Sequence, residues 1–291
     1  MRATQIETVV AGRALLGEGP VWDAGTQTLV WVDILRCEVH RYDPATATDR
    51  SVRLPVVVGA ARPCADGALV VAAGRGVARY DEADGSLDWL GRTAVGDRVN
   101  DATCDPAGRF WVGTLTVGGA GAALYRLDGR DVLTEVLGGV GLANGLAWSP
   151  DASVAYFADT VAEVVYAFDA DVEAGALEGR RVFADLRDAQ GRPDGMTVDA
   201  EGGVWVATAR GGTVRRYRPD GGLDREIEFG MPGVTSMAFG GSTLQDLYVT
   251  TMCLGLGERD LMDHPRAGAL LRVPDVGVTG LPATPFAGLA P

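Results

Sequence analysis

Hydrophobic and polar positions along this chain alternate in short bursts. Runs rich in Val, Trp, Tyr and Phe, such as "TLVWVD", "RFWVGT" and "GGVWVAT", are separated by Gly, Asp-Gly and Pro. Such punctuation predicts short strands joined by tight turns. The spacing of an amphipathic helix is nearly absent, and "ERDLMDHPRAGAL", from Glu258, is the best short-helix candidate.

Laid side by side, the bursts form a repeat. Units begin at residues 24, 66, 107, 151, 201 and 242, so successive starts lie 42, 41, 44, 50 and 41 residues apart. Each unit reads as a strand, a turn, a strand ending in an aromatic or apolar pair, then an acidic or Pro turn. Units of this length with about four strands each mark a β-propeller. The fold class expected is therefore all-β, a six-bladed β-propeller formed as one domain over residues 1–291. A β-solenoid is the alternative, and the lack of anything resembling a cap favours the closed ring.

One more apolar strand precedes each hairpin. "EGPVWD" from Glu18, "AARPCA" from Ala60, "NDATCD" from Asn100, "NGLAWS" from Asn144, "DGMTVD" from Asp194 and "TSMAFG" from Thr235 align without gaps. The fifth position holds Trp22, Cys64, Cys104, Trp148, Val198 and Phe239. In a propeller the first strand of each blade lines a central channel. The first positions, Glu18, Ala60, Asn100, Asn144, Asp194 and Thr235, should then converge on one level. Glu18, Asn100, Asn144 and Asp194 are oxygen donors, and two of them are anionic. With neither His nor Cys among them, they suit a hard divalent ion at a central-channel metal site. Without a cation, at least one of two carboxylates buried together would have to protonate. The plain alternative is that each is a turn residue, for which Asn-Gly and Asp-Gly are ordinary. Arg98 and Arg192 stand two residues before Asn100 and Asp194, placed either to reach a polar ligand or to form surface ion pairs. Asp33, Asp101 and Asp159 are expected behind the ligands, orienting them or closing strand ends.

Composition removes several functions. A net charge of −13 argues against nucleic acid and against a polybasic membrane face. No apolar run approaches the roughly 18 residues of a membrane span, and Glu7 and Arg13 interrupt what a signal peptide would need as an apolar core. The four cysteines form no CxxC pair, so reduced core thiols and a cytoplasmic location are expected. All 26 basic residues are arginine, which excludes a Schiff-base lysine, a P-loop lysine and a Ser-Lys dyad. His40 and His264 lie outside the column and there is no GxSxG, so a Ser-His-Asp triad is not expected.

With these residues in view, the chain resembles the gluconolactonase / regucalcin (senescence marker protein) family of metal-dependent sugar lactonases. "LGEGPVWD" is similar to the family's opening motif, which implies Glu18 as a metal ligand. "RVNDATCDPAGRFWVGT" resembles its Arg-x-Asn-Asp motif, which implies that Arg98 and Asn100 contact substrate. "ANGLAWSPD" implies a ligand at Asn144, and "PDGMTVDAEGGVWVA" implies Asp194 as both ligand and proton acceptor. "FGGSTLQDLYVTT" matches a further signature. One stretch departs from the pattern: after Thr114, "TLTVGGAGAALY" is short and uncharged where some relatives carry a carboxylate-bearing lid, which implies a more open site.

The expectation is a cytoplasmic hydrolase opening sugar aldonolactones to aldonic acids, with the catalytic role on Asp194. One divalent metal ion (Ca, Mg, Mn, Zn or Fe(II)) would be held by Glu18, Asn144 and Asp194, with Asn100 as a longer or occasional ligand. Its partner would be a small-molecule sugar lactone, with no nucleic acid and no membrane, and the protein a monomer or weak homo-oligomer. Two alternatives stay open: a phosphotriesterase-like hydrolase on the same propeller, or a non-catalytic calcium-binding regulatory propeller.

Overall fold

The computed structural model describes residues 5–119 and 121–288. Its strands form six antiparallel four-stranded sheets, the six-bladed propeller expected from the repeat. The innermost strands are Gly17–Asp23, Val58–Pro63, Arg98–Cys104, Ala143–Trp148, Arg192–Val198 and Val234–Gly240. Five blades are continuous in sequence. The sixth takes three strands from residues 234–273 and its outermost strand, Glu7–Val10, from the other end of the chain. Glu7 faces Arg272 and Thr8 faces Leu271 at this seam. The expected short helix spans Glu258–Asp263. No helix among the described residues is long and apolar enough to cross a membrane.

Apolar alternation explains how the blades pack. Aromatic pairs join neighbouring sheets: Trp111 meets Trp148 edge-on at 5.8 Å, Trp205 meets Phe239 at 5.7 Å, and Trp22 stacks on Tyr248 at 6.0 Å. Each such ring removes a large apolar area from water. The turns below Trp111 and Trp205 are tied by buried Asp105 and Asp199, which accept from the two indole N–H groups at 3.0 and 2.7 Å. All four cysteines are free, and burial pushes the Cys64 and Cys104 thiols up to about 12, which makes them inert core groups.

Every innermost strand carries the same irregularity. From Val99 to Cys104 the chain takes five steps, while its partners run from Thr114 to Phe110 in four. The pairs Gly17–Asp33 and Trp22–Leu29, Ala143–Asp159 and Trp148–Ala155, Pro193–Thr208 and Val198–Val204, and Val234–Thr251 and Phe239–Leu247 repeat this offset. A one-residue bulge therefore sits at the channel level of Glu18, Asn100, Asn144 and Asp194. Bulges of this kind re-aim side chains.

The same pairing corrects the sequence alignment in the second blade. Val58 pairs with Ala73 and Pro63 with Leu69, so Gly59, not Ala60, belongs to the level of Glu18, and Pro63, not Cys64, to that of Trp22. "VVVGAARPCA" offers no polar or aromatic landmark, so a slip by one residue keeps every position plausible. A Cβ on Gly59 would strike the Asn100 carbonyl, which is why this position takes glycine. The correction also moves Arg62 to the fourth position, beside Thr103 and Thr197.

The glycines after Asn144 and Asp194 lie inside strands, not in turns. A Cβ at Gly145 would lie 2.6 Å from Met196 N and 2.8 Å from Asp194 O. Gly145→Ala is expected to cost about 1–3 kcal/mol by overpacking, seen as a thermal midpoint several degrees lower. An unchanged midpoint would show that the blades do not need this close approach.

Past the last blade the chain crosses the far end of the channel. It is pinned on one side by Ala200 N donating to Thr279 O (2.8 Å) and Gly280 N to Leu244 O (2.7 Å). On the other side Phe286 N donates to Pro63 O (2.8 Å), Ala65 N to Phe286 O (3.1 Å) and Ala287 N to Gly108 O (3.0 Å). Phe286 is buried against Phe110 at 6.3 Å. Residues 281–285 make no backbone hydrogen bond of their own among the described residues.

Candidate functional site

Glu18, Asn100, Asn144 and Asp194 are all buried at one level of the channel, each on a different innermost strand. The fifth and sixth places contribute nothing comparable. Gly59 has no side chain, and Thr235 Oγ1 is bonded to Gly17 O at 2.6 Å.

A directed hydrogen-bond chain orients the two amides. Arg98 Nη1 can only donate, and it does so to Val99 O (2.7 Å) and Asn100 Oδ1 (3.1 Å). Asn100 Nδ2 donates to Ala143 O (3.0 Å) and Asn144 Oδ1 (3.1 Å). Asn144 Nδ2 then donates to Thr160 Oγ1 (2.9 Å), whose hydroxyl donates to Pro193 O (2.7 Å). A pure donor begins the chain and a pure acceptor ends it, so neither amide can be flipped without breaking bonds. Asn144 Oδ1 spends one lone pair on Asn100 and keeps another. Thr160 is a residue that sequence reasoning missed, and its only signal was a hydroxyl directly after Asp159.

The carboxylates are less well served. Glu18 Oε2 accepts from its neighbour Gly19 N at 3.2 Å. Asp194 Oδ1 is buried and has no hydrogen-bond partner. Burial, then the charges of Asp194 and Asp101, raise the Glu18 carboxyl well above its ordinary pKa. Burial and then Asp101 do the same to Asp194. A buried carboxylate oxygen without a partner is costly unless a cation or proton compensates it. Two carboxylates and a fixed amide oxygen with a spare lone pair fit a hard divalent ion. Among the described residues no three Asp, Glu, His or Cys side chains gather as a metal cluster, so any such site depends on the amide oxygen.

The flanking residues divide. Arg98 is half-buried beside the column, and Glu18 is the charge that acts on it. Arg192 is 52% exposed and paired with Glu163 at 3.0 Å, the surface ion pair that was its alternative. Asp33 accepts from Leu15 N, Leu16 N and Arg36 N, and Asp159 from Gly141 N, Leu142 N, Val161 N and Ala162 N. Both tie loops at the strand ends, and neither hydrogen-bonds a column side chain among the described residues. Asp101 occupies the next position inward, where Oδ1 accepts from Ala102 N at 2.7 Å and lies 3.7 Å from Arg62 Nη2. Arg62 was overlooked because the slipped alignment hid it. Its signal is the lone charge in an apolar channel strand. At the mouth, the loop 116–121 carries Val117 exposed, and a Cβ on Gly119 would meet Val161 of the next blade at 3.6 Å. Ala120, within it, lies outside the described residues.

Comparison with known proteins gives the family and the fold. Residues 16–253 match the model of the SMP-30/Gluconolactonase/LRE-like region. The chain is 40% identical over 284 residues to pentonolactonase XacC of Haloferax volcanii, covering 95% of this chain and 96% of that one. It is 36% identical over 291 residues to the 6-deoxy-6-sulfogluconolactonase of Pseudomonas putida, covering 97% and 99%. Its fold superposes on the crystal structure of a calcium-binding protein, regucalcin, from Agrobacterium tumefaciens, with a TM-score of 0.92, 27% identity and 98% of each chain covered.

Proposed function

The chain belongs to the SMP-30/gluconolactonase/LRE-like family, and from that premise we propose that it hydrolyses sugar aldonolactones to aldonic acids. The observation that carries this reading is the buried, unpartnered Asp194 Oδ1 beside Glu18 and the oriented Asn144 amide. Glu18, Asn144 and Asp194 would hold one divalent ion, with Asn100 nearer the substrate. When bound, that ion supplies Lewis acidity at the lactone carbonyl and favours ionisation of water.

The chain's own groups do the rest. Asp194 takes the proton of the attacking water as its oxygen bonds to the carbonyl carbon. The ring carbon–oxygen bond then breaks, and Asp194 returns the proton to the leaving oxygen. Arg98 and Asn100 bind hydroxyl or carbonyl oxygens and fix the ring, while Asp101 stands behind them. Four free cysteines and the acidic composition support a cytoplasmic place of work. A pH-indicator assay over a panel of aldonolactones, with chelator and with single metals added back, tests the proposal. No turnover of any lactone with any metal would overturn it.

Arg98→Ala gives a sharper check on binding. Losing a charge-assisted hydrogen bond should cost about 1.5–3 kcal/mol, read as a KM raised roughly 10- to 150-fold with metal content intact. Kinetics equal to the parent on its best lactone would make Arg98 a structural residue that only orients Asn100.

A further inference from the structure

A cavity of about 310 Å³ lies away from the mouth of the column. It occupies the inner half of the channel, between the Arg62–Asp101 level and the crossing segment 281–284. None of the four oxygen donors lines it, and Arg62 and Asp101 are the charged residues of its wall. We propose that this inner compartment is a second ligand site, which takes a short hydroxylated monocarboxylate on the guanidinium of Arg62.

Arg62 carries most of the case. It is only 8% exposed and stays charged, as arginine does in proteins. Its Nη1 donates to Gly19 O (2.8 Å) and Ala61 O (3.0 Å). Its Nε and Nη2 make no hydrogen bond among the described residues. Asp101 Oδ1, at 3.7 Å from Nη2, forms an ion pair with the guanidinium but is too far to take either N–H as a hydrogen bond. The open edge is the one whose two parallel N–H groups match the two oxygens of a carboxylate. A buried cation with its fork empty invites an anion that fits it.

The walls set the rest of the ligand. The hydroxyls of Thr103, Thr197 and Ser236 line the cavity and make no hydrogen bond among the described residues, so they are free to meet ligand hydroxyls. Asp101 is the one carboxylate of the wall and repels any second negative charge on the ligand. The other lining side chains, Trp22, Leu146, Trp148, Met196 and Phe239 among them, are largely apolar. A volume of 310 Å³ lies at the small end of ligand pockets, which span about 300–1,000 Å³. That suits three to six carbons. Access is through the crossing segment, where Pro282 and Ala283 are exposed and 281–285 lack backbone hydrogen bonds of their own. The proposal does not need the lactonase reading, because occupancy is measured without turnover.

Calorimetric titration of the full chain with glycerate tests it, with neutral glyceramide as the control for shape. Glycerate should bind and glyceramide should not. Arg62→Gln should weaken glycerate at least roughly 10-fold, the effect of a lost charge-assisted pair, while Arg98→Ala at the mouth leaves it within about two-fold. Ala147→Phe fills the same cavity from another wall without touching Arg62. It should abolish binding even if Arg62→Gln folds poorly. Equal binding of glyceramide, loss in Arg98→Ala but not in Arg62→Gln, full binding by Ala147→Phe, or no heat up to roughly 50 mM glycerate would each overturn the proposal.

Discussion

Stripped of divalent ions, the protein is expected to hydrolyse lactones at least roughly 100-fold more slowly, since Lewis-acid help is worth several kcal/mol. With two formal negative charges and neutral amides at the column, affinity should be moderate and metal choice permissive, so more than one divalent ion should restore activity. A second readout does not depend on turnover. In the ion-free protein, Glu18 and Asp194 have pKa values raised by burial and by neighbouring carboxylates. The folded state then binds more protons than the unfolded state over the interval between the two values. Stability is fully present below the ordinary carboxylate range and falls as pH rises through the raised values. Thermal midpoints of chelated protein should therefore drop between acid and neutral pH, and added ion should remove the drop. Full activity in protein shown ion-free by elemental analysis would end the metal proposal. A midpoint indifferent to both pH and ion would show that the two carboxylates are compensated in some other way.

Asp194→Asn is expected to be the most damaging single change, and it separates holding an ion from moving a proton. Glu18 and Asp194 occupy equivalent strand positions beside equivalent bulges. If both only held an ion, Glu18→Gln and Asp194→Asn would each weaken it, and excess metal would rescue both. Asn cannot accept a proton at any metal concentration. Saturating metal should therefore partly rescue Glu18→Gln and leave Asp194→Asn at least roughly 100-fold slow in kcat, the usual scale for a lost general base. Equal rescue would demote Asp194 to a ligand and direct the search to Asp101, the next carboxylate inward.

Strand periodicity and turn residues made the blade count legible, because each blade repeats the same local pattern and contacts its neighbours in the same way. The column was legible for a related reason: four oxygen donors break four otherwise apolar strands at matching places. Gly59 was not. An apolar strand without a landmark does not reveal its register, which is set by hydrogen-bonded pairing with a neighbour. The same slip concealed Arg62, the buried cation of the channel wall. Asn-Gly and Asp-Gly left a turn open as the alternative, and close approach between strands is what demands those glycines in mid-strand. Thr160 was illegible for a different reason. Its place in the relay depends on a carbonyl 33 residues away.

The seam between Glu7–Val10 and the strand Leu270–Val273 has a consequence during synthesis. The ribosome makes the closing strand about 260 residues before its partner. At roughly 5–20 residues per second, the wait lasts ~10–50 s. Over that interval the nascent chain carries an orphan tetrapeptide, and its first five blades can assemble only as an open arc with an unpaired apolar flank. Such an arc is the form most prone to edge-to-edge association with a second chain. Slowing translation between the two strands should therefore raise aggregation far more than the stability of the finished ring would suggest.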